Sequence, residues 1–139
     1  MDEEEQLTEE LHDFFNRFSS WETSLIRSSS LTISESHAIE VLGVYGKMNM
    51  KSLGEKLAVT TGTVTITVDR LEKGGYARRV AQKGDRRTYI IELTPYGEQA
   101  FEEHHEHHRK LTQELRPLLS EEENLVFIRI LQKLNRHLF

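Results

Sequence analysis

The stretch that decides the fold extends from Lys51 to Thr94 and reads KSLGEKLAVTTGTVTITVDRLEKGGYARRVAQKGDRRTYIIELT. Leu53 and Leu57 are spaced to share one face of a helix, and Ser52 is a suitable cap at its start. A second helical pattern follows after only a few residues. Two short helices joined by such a tight turn are typical of a helix-turn-helix.

The second helical pattern has three apolar residues that we expect to face the core, namely Val64, Val68 and Leu71. Thr60 or Thr61 is its predicted cap. A β-hairpin is predicted to follow, because the segments 76–80 and 88–93 are rich in strand formers and flank a polar tip at 82–87. This order of elements predicts a winged helix-turn-helix that binds double-stranded DNA.

The distribution of charge supports a nucleic-acid partner although the whole chain carries −5. Seven basic and three acidic residues between Asp69 and Ile90 give this segment +4, which leaves −9 for the remainder. Neutralisation of phosphates by lysine and arginine dominates affinity for DNA. The local positive charge is therefore a candidate DNA-binding face, and the acidic remainder would orient the approach.

Several runs of this stretch resemble the MarR family of bacterial transcription regulators. They are Val64-Thr65, the run from Val68 to Lys73, and Asp85-x-Arg87 followed by Leu93-Thr94. In that family the second helix of the motif enters the major groove, a wing arginine reaches the minor groove, and the terminal helices form a symmetric dimer. The resemblance, which extends from about Glu5 to the end, implies a homodimeric repressor that binds a pseudo-palindromic operator.

The predicted base-reading residues lie near the N-terminal end or on the outer face of the second helix. They are Thr61, Gly62, Thr63, Thr65, Ile66 and Arg70. The resembling family often has an arginine where Thr61 or Ile66 stands here, so strong guanine readout is not expected. Hydroxyl groups can bond to bases or phosphates, and methyl groups can touch the thymine methyl. We therefore expect an A/T-leaning operator, with shape readout by the wing.

The tip of the wing has two candidates for the minor groove, Arg86 and Arg87. Asp85 precedes them, and we expect it to fix the turn by pairing with a neighbouring arginine rather than to contact DNA. As a plain alternative, Asp85 is only a turn residue.

Helices are predicted on both sides of the winged motif. Apolar residues recur between positions 7 and 25 in a stripe wider than a surface helix requires, which favours a partner subunit over ordinary core. Ser34 is the predicted cap of the next helix. After the wing, Thr94 and Pro95 begin a long helix that ends before Pro117. A capping box at Ser120 begins the last helix.

The chain is accordingly predicted to be a single domain, 1–139, mainly α with a small β-hairpin wing. The DNA-binding lobe is 34–94, and the dimerisation helices are 5–30 and 95–139. The N-terminus is acidic where a signal peptide would be basic, and no apolar run is long enough to span a bilayer, so we expect a cytoplasmic protein with no membrane partner. The absence of cysteine excludes the peroxide-sensing branch of the resembling family.

Histidines are concentrated on the helix after the wing, where 104–108 contains four of the seven in the chain. His104 and His108 are four apart and share a helix face, which is the spacing of helical zinc sites. His37 is a third candidate ligand, and Glu22 could supply the fourth. The set resembles the zinc-responsive branch of the MarR family, although Ser36 stands where those proteins have a further acidic ligand. We expect one site per subunit at most, with zinc favoured and nickel or copper as other options.

Three functions remain open at this point. The first is a repressor whose operator affinity is modulated by a bound metal ion. The second is the same repressor modulated by a small aromatic or lipophilic anion, and the third is a zinc hydrolase. The hydrolase fits poorly because a helical His-Glu-x-x-His arrangement is absent, so the chain is not expected to be an enzyme.

Overall fold

The computed structural model describes residues 2–138, apart from the side chain of Arg86. This part of the chain forms six α-helices and one small antiparallel sheet. The elements are α1 Glu3–Ile26, α2 Ile33–Tyr45, β1 Met48–Asn49, α3 Met50–Leu57, α4 Thr61–Lys73, β2 Ala77–Gln82, β3 Asp85–Leu93, α5 Pro95–Leu115 and α6 Glu121–His137, with a 3-10 turn Arg116–Leu118 between α5 and α6. The predicted class, mainly α with a small β-hairpin wing, is confirmed.

The core lies where α2, α3, α4 and the sheet meet. Val64, Val68 and Leu71 are completely buried, as their helical spacing predicted, and Leu53 of α3 is buried against them. Full burial of each such side chain contributes about 1.5–3 kcal/mol relative to exposure. The inward face of α4 is therefore fixed by packing, and its opposite face is left to solvent.

Thr32 caps α2, so the predicted cap at Ser34 is wrong. The Thr32 hydroxyl accepts a hydrogen bond from the Glu35 backbone N–H (3.2 Å), and the Glu35 carboxylate accepts one from the Thr32 N–H (3.0 Å). Such a reciprocal capping box needs Glu or Gln three residues after the cap. A cap at Ser34 would place His37 there, which explains why the helix begins at the earlier position.

The caps of the helix-turn-helix differ in the same way. Asn49 caps α3 by accepting a hydrogen bond from the Ser52 N–H (2.8 Å), so Ser52 is not the cap. The earlier start allows Met50 to pack on the core one turn from Leu53. Thr60, one of the two predicted caps, begins α4.

The sheet has the order β1-β3-β2, and β1 was not predicted from the sequence. This strand is only two residues long, pairing Met48 with Ile91 and Asn49 with Ile90. The wing itself is tighter than the predicted tip at 82–87, because β2 and β3 are joined by a two-residue turn between Gln82 and Asp85. Gly84 in this turn has φ +91°, a conformation that side chains disfavour.

The long helix α5 is anchored directly on the winged motif. Thr94 caps it and Pro95 is its first residue, as predicted. The Thr94 backbone N–H donates to the Tyr76 carbonyl (3.0 Å), and Gly97 lies so close that a Cβ there would be 1.9 Å from the same oxygen. The base of the wing and the start of α5 therefore form one tightly packed junction.

The terminal helices leave large apolar surfaces uncovered. On α1, the exposed large apolar residues are Leu7, Leu11, Phe14 and Phe15. On α6, which the predicted Ser120 capping box begins, they are Leu125, Val126, Ile128, Ile130, Leu131 and Leu134, and Leu138 follows directly after the helix. None of the helices described in residues 2–138 is long and apolar enough to cross a membrane.

Candidate nucleic-acid interface and histidine cluster

The outer face of α4 is polar, small and exposed. All six predicted base-reading residues are exposed, and Ile66 is the most prominent apolar one, with 55% of its surface accessible. The set is Thr61, Gly62, Thr63, Thr65, Ile66 and Arg70. All six residues thus lie on the part of α4 that faces away from the core.

Threonine hydroxyls on α4 bond within their own helix. The Thr65 hydroxyl donates to the Thr61 carbonyl (2.9 Å), and the hydroxyls of Thr60 and Thr63 lie 3.0 Å apart. A hydroxyl that donates inward retains only its acceptor lone pairs for an outside partner. In this rotamer Thr65 therefore presents an acceptor and a methyl group to the surface.

An ion-pair clamp, which the sequence did not reveal, fixes the wing to α4. Arg79 of β2 bonds to Asp69 (2.5 Å) and to Glu72, and its backbone N–H donates to the Glu72 carboxylate (3.2 Å). Burial lowers the pKa of Arg79, but the hydrogen bond to Asp69 and the nearby charges outweigh this and raise it. Helix and wing are therefore held in one relative orientation.

Asp85 organises the tip of the wing, but by a different contact from the one predicted. Its carboxylate accepts hydrogen bonds from the Arg87 backbone N–H (2.9 Å) and from the Thr88 hydroxyl (2.8 Å). These bonds lower the pKa of Asp85, the Arg87 amide contributing most. The Arg87 side chain remains exposed. The predicted role of Arg86 rests on a side chain that lies outside the described part of the structure.

The predicted positive segment is partly neutralised from within. Arg79 belongs to the clamp, and Arg78 pairs with Glu92 across the strands (2.8 Å). Exposed cations of the segment remain on α4 and the wing, namely Arg70, Lys73, Lys83 and Arg87. These side chains are the ones placed to meet phosphates.

The histidine cluster lies where α5 packs on α1 and α2. Nε2 of His104 is 3.0 Å from Nε2 of His108 and 3.1 Å from the Ser36 hydroxyl. His37 Nε2 is 2.9 Å from a carboxylate oxygen of Glu22, which joins α2 to α1. The four predicted ligands are thus found as two close pairs. Within residues 2–138, no three His, Asp or Glu side chains converge as a ready metal site.

A further pair in the cluster was missed by the sequence analysis. Glu40 of α2 lies 2.5 Å from Nδ1 of His105 on α5, and the ring of Phe101 stacks on His105. The other carboxylate oxygen of Glu40 is buried and has no hydrogen-bond partner among the described residues. The sequence feature that could have indicated this pair is the position of Glu40, a charged residue inside the apolar run from Ala38 to Leu42.

The pKa values of His104 and His108 are lowered. For both, burial is the largest cause, and the charges of Glu40 and Glu22 oppose the decrease without cancelling it. The ring of His108 also meets the edge of Trp21 at a centroid distance of 5.0 Å. Both imidazoles are therefore biased toward the neutral form, which is the form that binds metal ions.

A cavity of about 300 Å³ opens beside His104 and His107. Leu25 and Ile26 of α1 line one side, and Tyr76, Tyr96 and His104 line the other. The lining mixes apolar side chains with polar ones such as Gln99 and Glu103, so both kinds of contact are available to a small organic ligand.

A helix-turn-helix followed by a β-hairpin wing, with cations exposed on both, defines a winged helix-turn-helix protein. The MarR family model matches residues 31–89. Over nearly the whole chain, the fold superposes on Streptococcus pneumoniae FabT, solved in complex with DNA, with a TM-score of 0.86 and 30% identity, covering 98% of this chain and 97% of FabT. The chain belongs to the MarR family of transcriptional regulators.

Two further proteins are similar to this chain. The regulator SarZ of Staphylococcus saprophyticus is 35% identical over 75 residues, which are 54% of this chain and 51% of SarZ. The chain thus spans about half the length of SarZ in that match. NadR, solved in complex with 4-hydroxyphenylacetate, shares the fold with a TM-score of 0.79 and 21% identity, covering 92% of this chain and 91% of NadR. MarR proteins are transcription regulators and not enzymes, which removes the hydrolase alternative.

Proposed function

We propose that the protein is a homodimeric repressor that binds pseudo-palindromic double-stranded DNA through α4 and the wing. The observation that carries this proposal is the exposed face of α4, clamped by Arg79 to a wing that ends in exposed cations. A rigid pair of reading elements suits simultaneous contact with a major groove and the adjacent minor groove. Contacts with the phosphates fix the position and orientation of both reading elements on the duplex.

The proposed DNA contacts are those predicted from the sequence. Thr61, Gly62 and Thr63 would meet base edges or phosphates near the N-terminal end of α4, with Thr65 and Ile66 presenting methyl groups to thymine. Arg70 would contact the backbone. Arg86 and Arg87 would enter the minor groove, whose narrow A/T-rich form attracts arginine.

Homodimer formation is proposed from the uncovered apolar faces of α1 and α6. Phe15 is 64% exposed and Leu125 57% exposed in the single chain. Exposed apolar patches of this extent mark interfaces in soluble proteins. A twofold dimer would place two copies of α4 in successive major grooves, about one helical turn apart.

The proposed effector is a metal ion, with zinc favoured, held by His37, His104, His108 and Glu22. Three imidazoles and a carboxylate are a donor set that suits zinc, and the lowered pKa values of His104 and His108 keep both rings available. A bound zinc ion would supply a positive charge shared by donors from three helices. Zinc binding would draw the α5 pair and the α1–α2 pair together, and this would select one arrangement of the lobes.

The test is a titration of operator affinity against buffered free zinc. We expect zinc to strengthen DNA binding by the wild type, and His108→Ala and His37→Ala to abolish the response without unfolding the protein. His12→Ala, an exposed histidine on α1 outside the cluster, is the matched control and should respond like the wild type. A zinc-independent affinity in the wild type would refute the metal response.

The second candidate effector is a small aromatic or lipophilic anion. It is favoured by the cavity between α1 and α5, with Tyr76, Tyr96 and His104 in its wall. NadR, which shares the fold, was solved with such an anion bound. Metal-free protein that changes its operator affinity with 4-hydroxyphenylacetate, and loses this response on Tyr96→Ala, would support the second candidate.

A further inference from the structure

The buried oxygen of Glu40 is an anomaly in the packing between α2 and α5. One carboxylate oxygen is bonded to His105, while Oε2 has no hydrogen-bond partner among the described residues and no contact with solvent. Buried polar atoms are nearly always paired, and an unpaired charged oxygen is costly. A cation arriving at this place would satisfy it.

Glu40 lies on the face of α2 that meets the histidines. Ser36, one helical turn earlier on α2, contacts His104, and His105 is the direct neighbour of His104 on α5. Ser36 and Glu40 therefore meet two consecutive histidines of α5 from α2.

Glu22 also pairs with a histidine but has no buried oxygen without a partner. Its carboxylate bonds to His37, and its side chain is only 12% exposed. The side chain of Glu40 is 25% exposed, but its Oε2 is buried and has no hydrogen-bond partner among the described residues. Glu22 therefore pairs with a histidine across the α1–α2 contact, and Glu40 pairs with a histidine across the α2–α5 contact. Of the two, only Glu40 has a buried oxygen that a cation could pair with.

We infer that Glu40 is a further member of the metal site, the carboxylate of α2 that compensates the charge of a divalent cation held by His104 and His108. This inference rests on the proposed metal response. His105 holds Glu40 in place from α5, in the manner of the outer contacts that orient groups around protein-bound metals. The consequence is that the cation would join α2 to α5 as well as to α1.

The experiment measures Co²⁺ binding to the full-length protein by visible absorption, without DNA. We expect Glu40→Gln to weaken Co²⁺ binding about 10- to 100-fold, the range found when a supporting partner of a metal site is lost. Glu102→Gln, an exposed carboxylate on the same helix as the histidines, should bind like the wild type. Thermal unfolding without metal verifies that each variant is folded.

His105→Gln separates charge from packing. It breaks the same α2–α5 contact but keeps the carboxylate, so it should lose clearly less Co²⁺ affinity than Glu40→Gln does. If His105→Gln reproduces the full loss, Glu40 acts only by packing and the inference is wrong. Unchanged binding by Glu40→Gln would also overturn it. A wild type that binds no Co²⁺ or zinc would instead refute the proposed metal response itself.

Discussion

Arg79→Ala is expected to loosen the wing from α4 while leaving the exposed cations in place. The Arg79 side chain is 23% exposed, with Glu72 at 33% and Asp69 at 59%. A hydrogen bond to a charged group contributes about 1.5–3 kcal/mol when buried, but exposed ion pairs contribute only about 0.2–1 kcal/mol. Since both carboxylates are partly exposed, the free energy of unfolding should fall by about 1–2 kcal/mol.

Urea unfolding measures this change, and a double-mutant cycle with Glu72→Gln isolates the pair. Arg78→Ala is the matched control, because its ion pair with Glu92 belongs to a side chain that is 56% exposed and should cost under about 1 kcal/mol. Operator affinity should also fall in Arg79→Ala, with an unchanged salt dependence. A salt slope that decreases by about one would show that Arg79 contacts a phosphate and would refute the clamp.

Four further predictions follow from other parts of the molecule. Arg87→Ala should weaken operator binding and lower its salt dependence, since it removes an exposed wing cation; unchanged values would exclude the wing from the interface. The protein should sediment as a dimer at micromolar concentration, and a monomer would contradict the role of α1 and α6. Gly97→Ala should lower the free energy of unfolding by at least about 1–3 kcal/mol because its Cβ meets the Tyr76 carbonyl at 1.9 Å, whereas Gly62→Ala, with nothing within 4 Å, should be neutral or slightly stabilising in urea unfolding. The metal-free protein should lose stability as the pH falls below about 6.5, because the lowered pKa values of His104 and His108 mean that the unfolded chain binds protons first; a His104→Gln profile as steep as the wild type would contradict this.

Sequence reasoning succeeded where a local pattern determines the structure. The spacing of Val64, Val68 and Leu71 settled which face of α4 is buried, and Thr94-Pro95 and the Ser120 box marked helix starts correctly. These features depend on residues within one or two turns of each other. The errors at Ser34 and Ser52 arose because a better cap stood a few positions earlier in each case.

Contacts between distant segments were outside the reach of such patterns. The clamp at Arg79, the short strand β1 and the pair of Glu40 with His105 each depend on chain segments that folding brings together. For Asp85 the prediction was partly right. Its role in fixing the turn was predictable from its position, but its partners were not. A carboxylate at a tight turn reaches the next backbone amides first, so Asp85 bonds to the Arg87 amide and the Thr88 hydroxyl and not to an arginine side chain.

The uninterrupted helix α5 has a mechanical consequence for regulation. It begins at the junction with Tyr76 at the base of the wing and carries His104 and His108 further along the same rod. At 1.5 Å per residue, these histidines lie about 14 and 20 Å from the start of the helix at Pro95. A small tilt imposed at the cluster is therefore delivered as a displacement at the wing base, with α5 acting as a lever and the Gly97 contact as its point of attachment. An effector bound at the histidine cluster would then need to change only the tilt of α5 to move the wing.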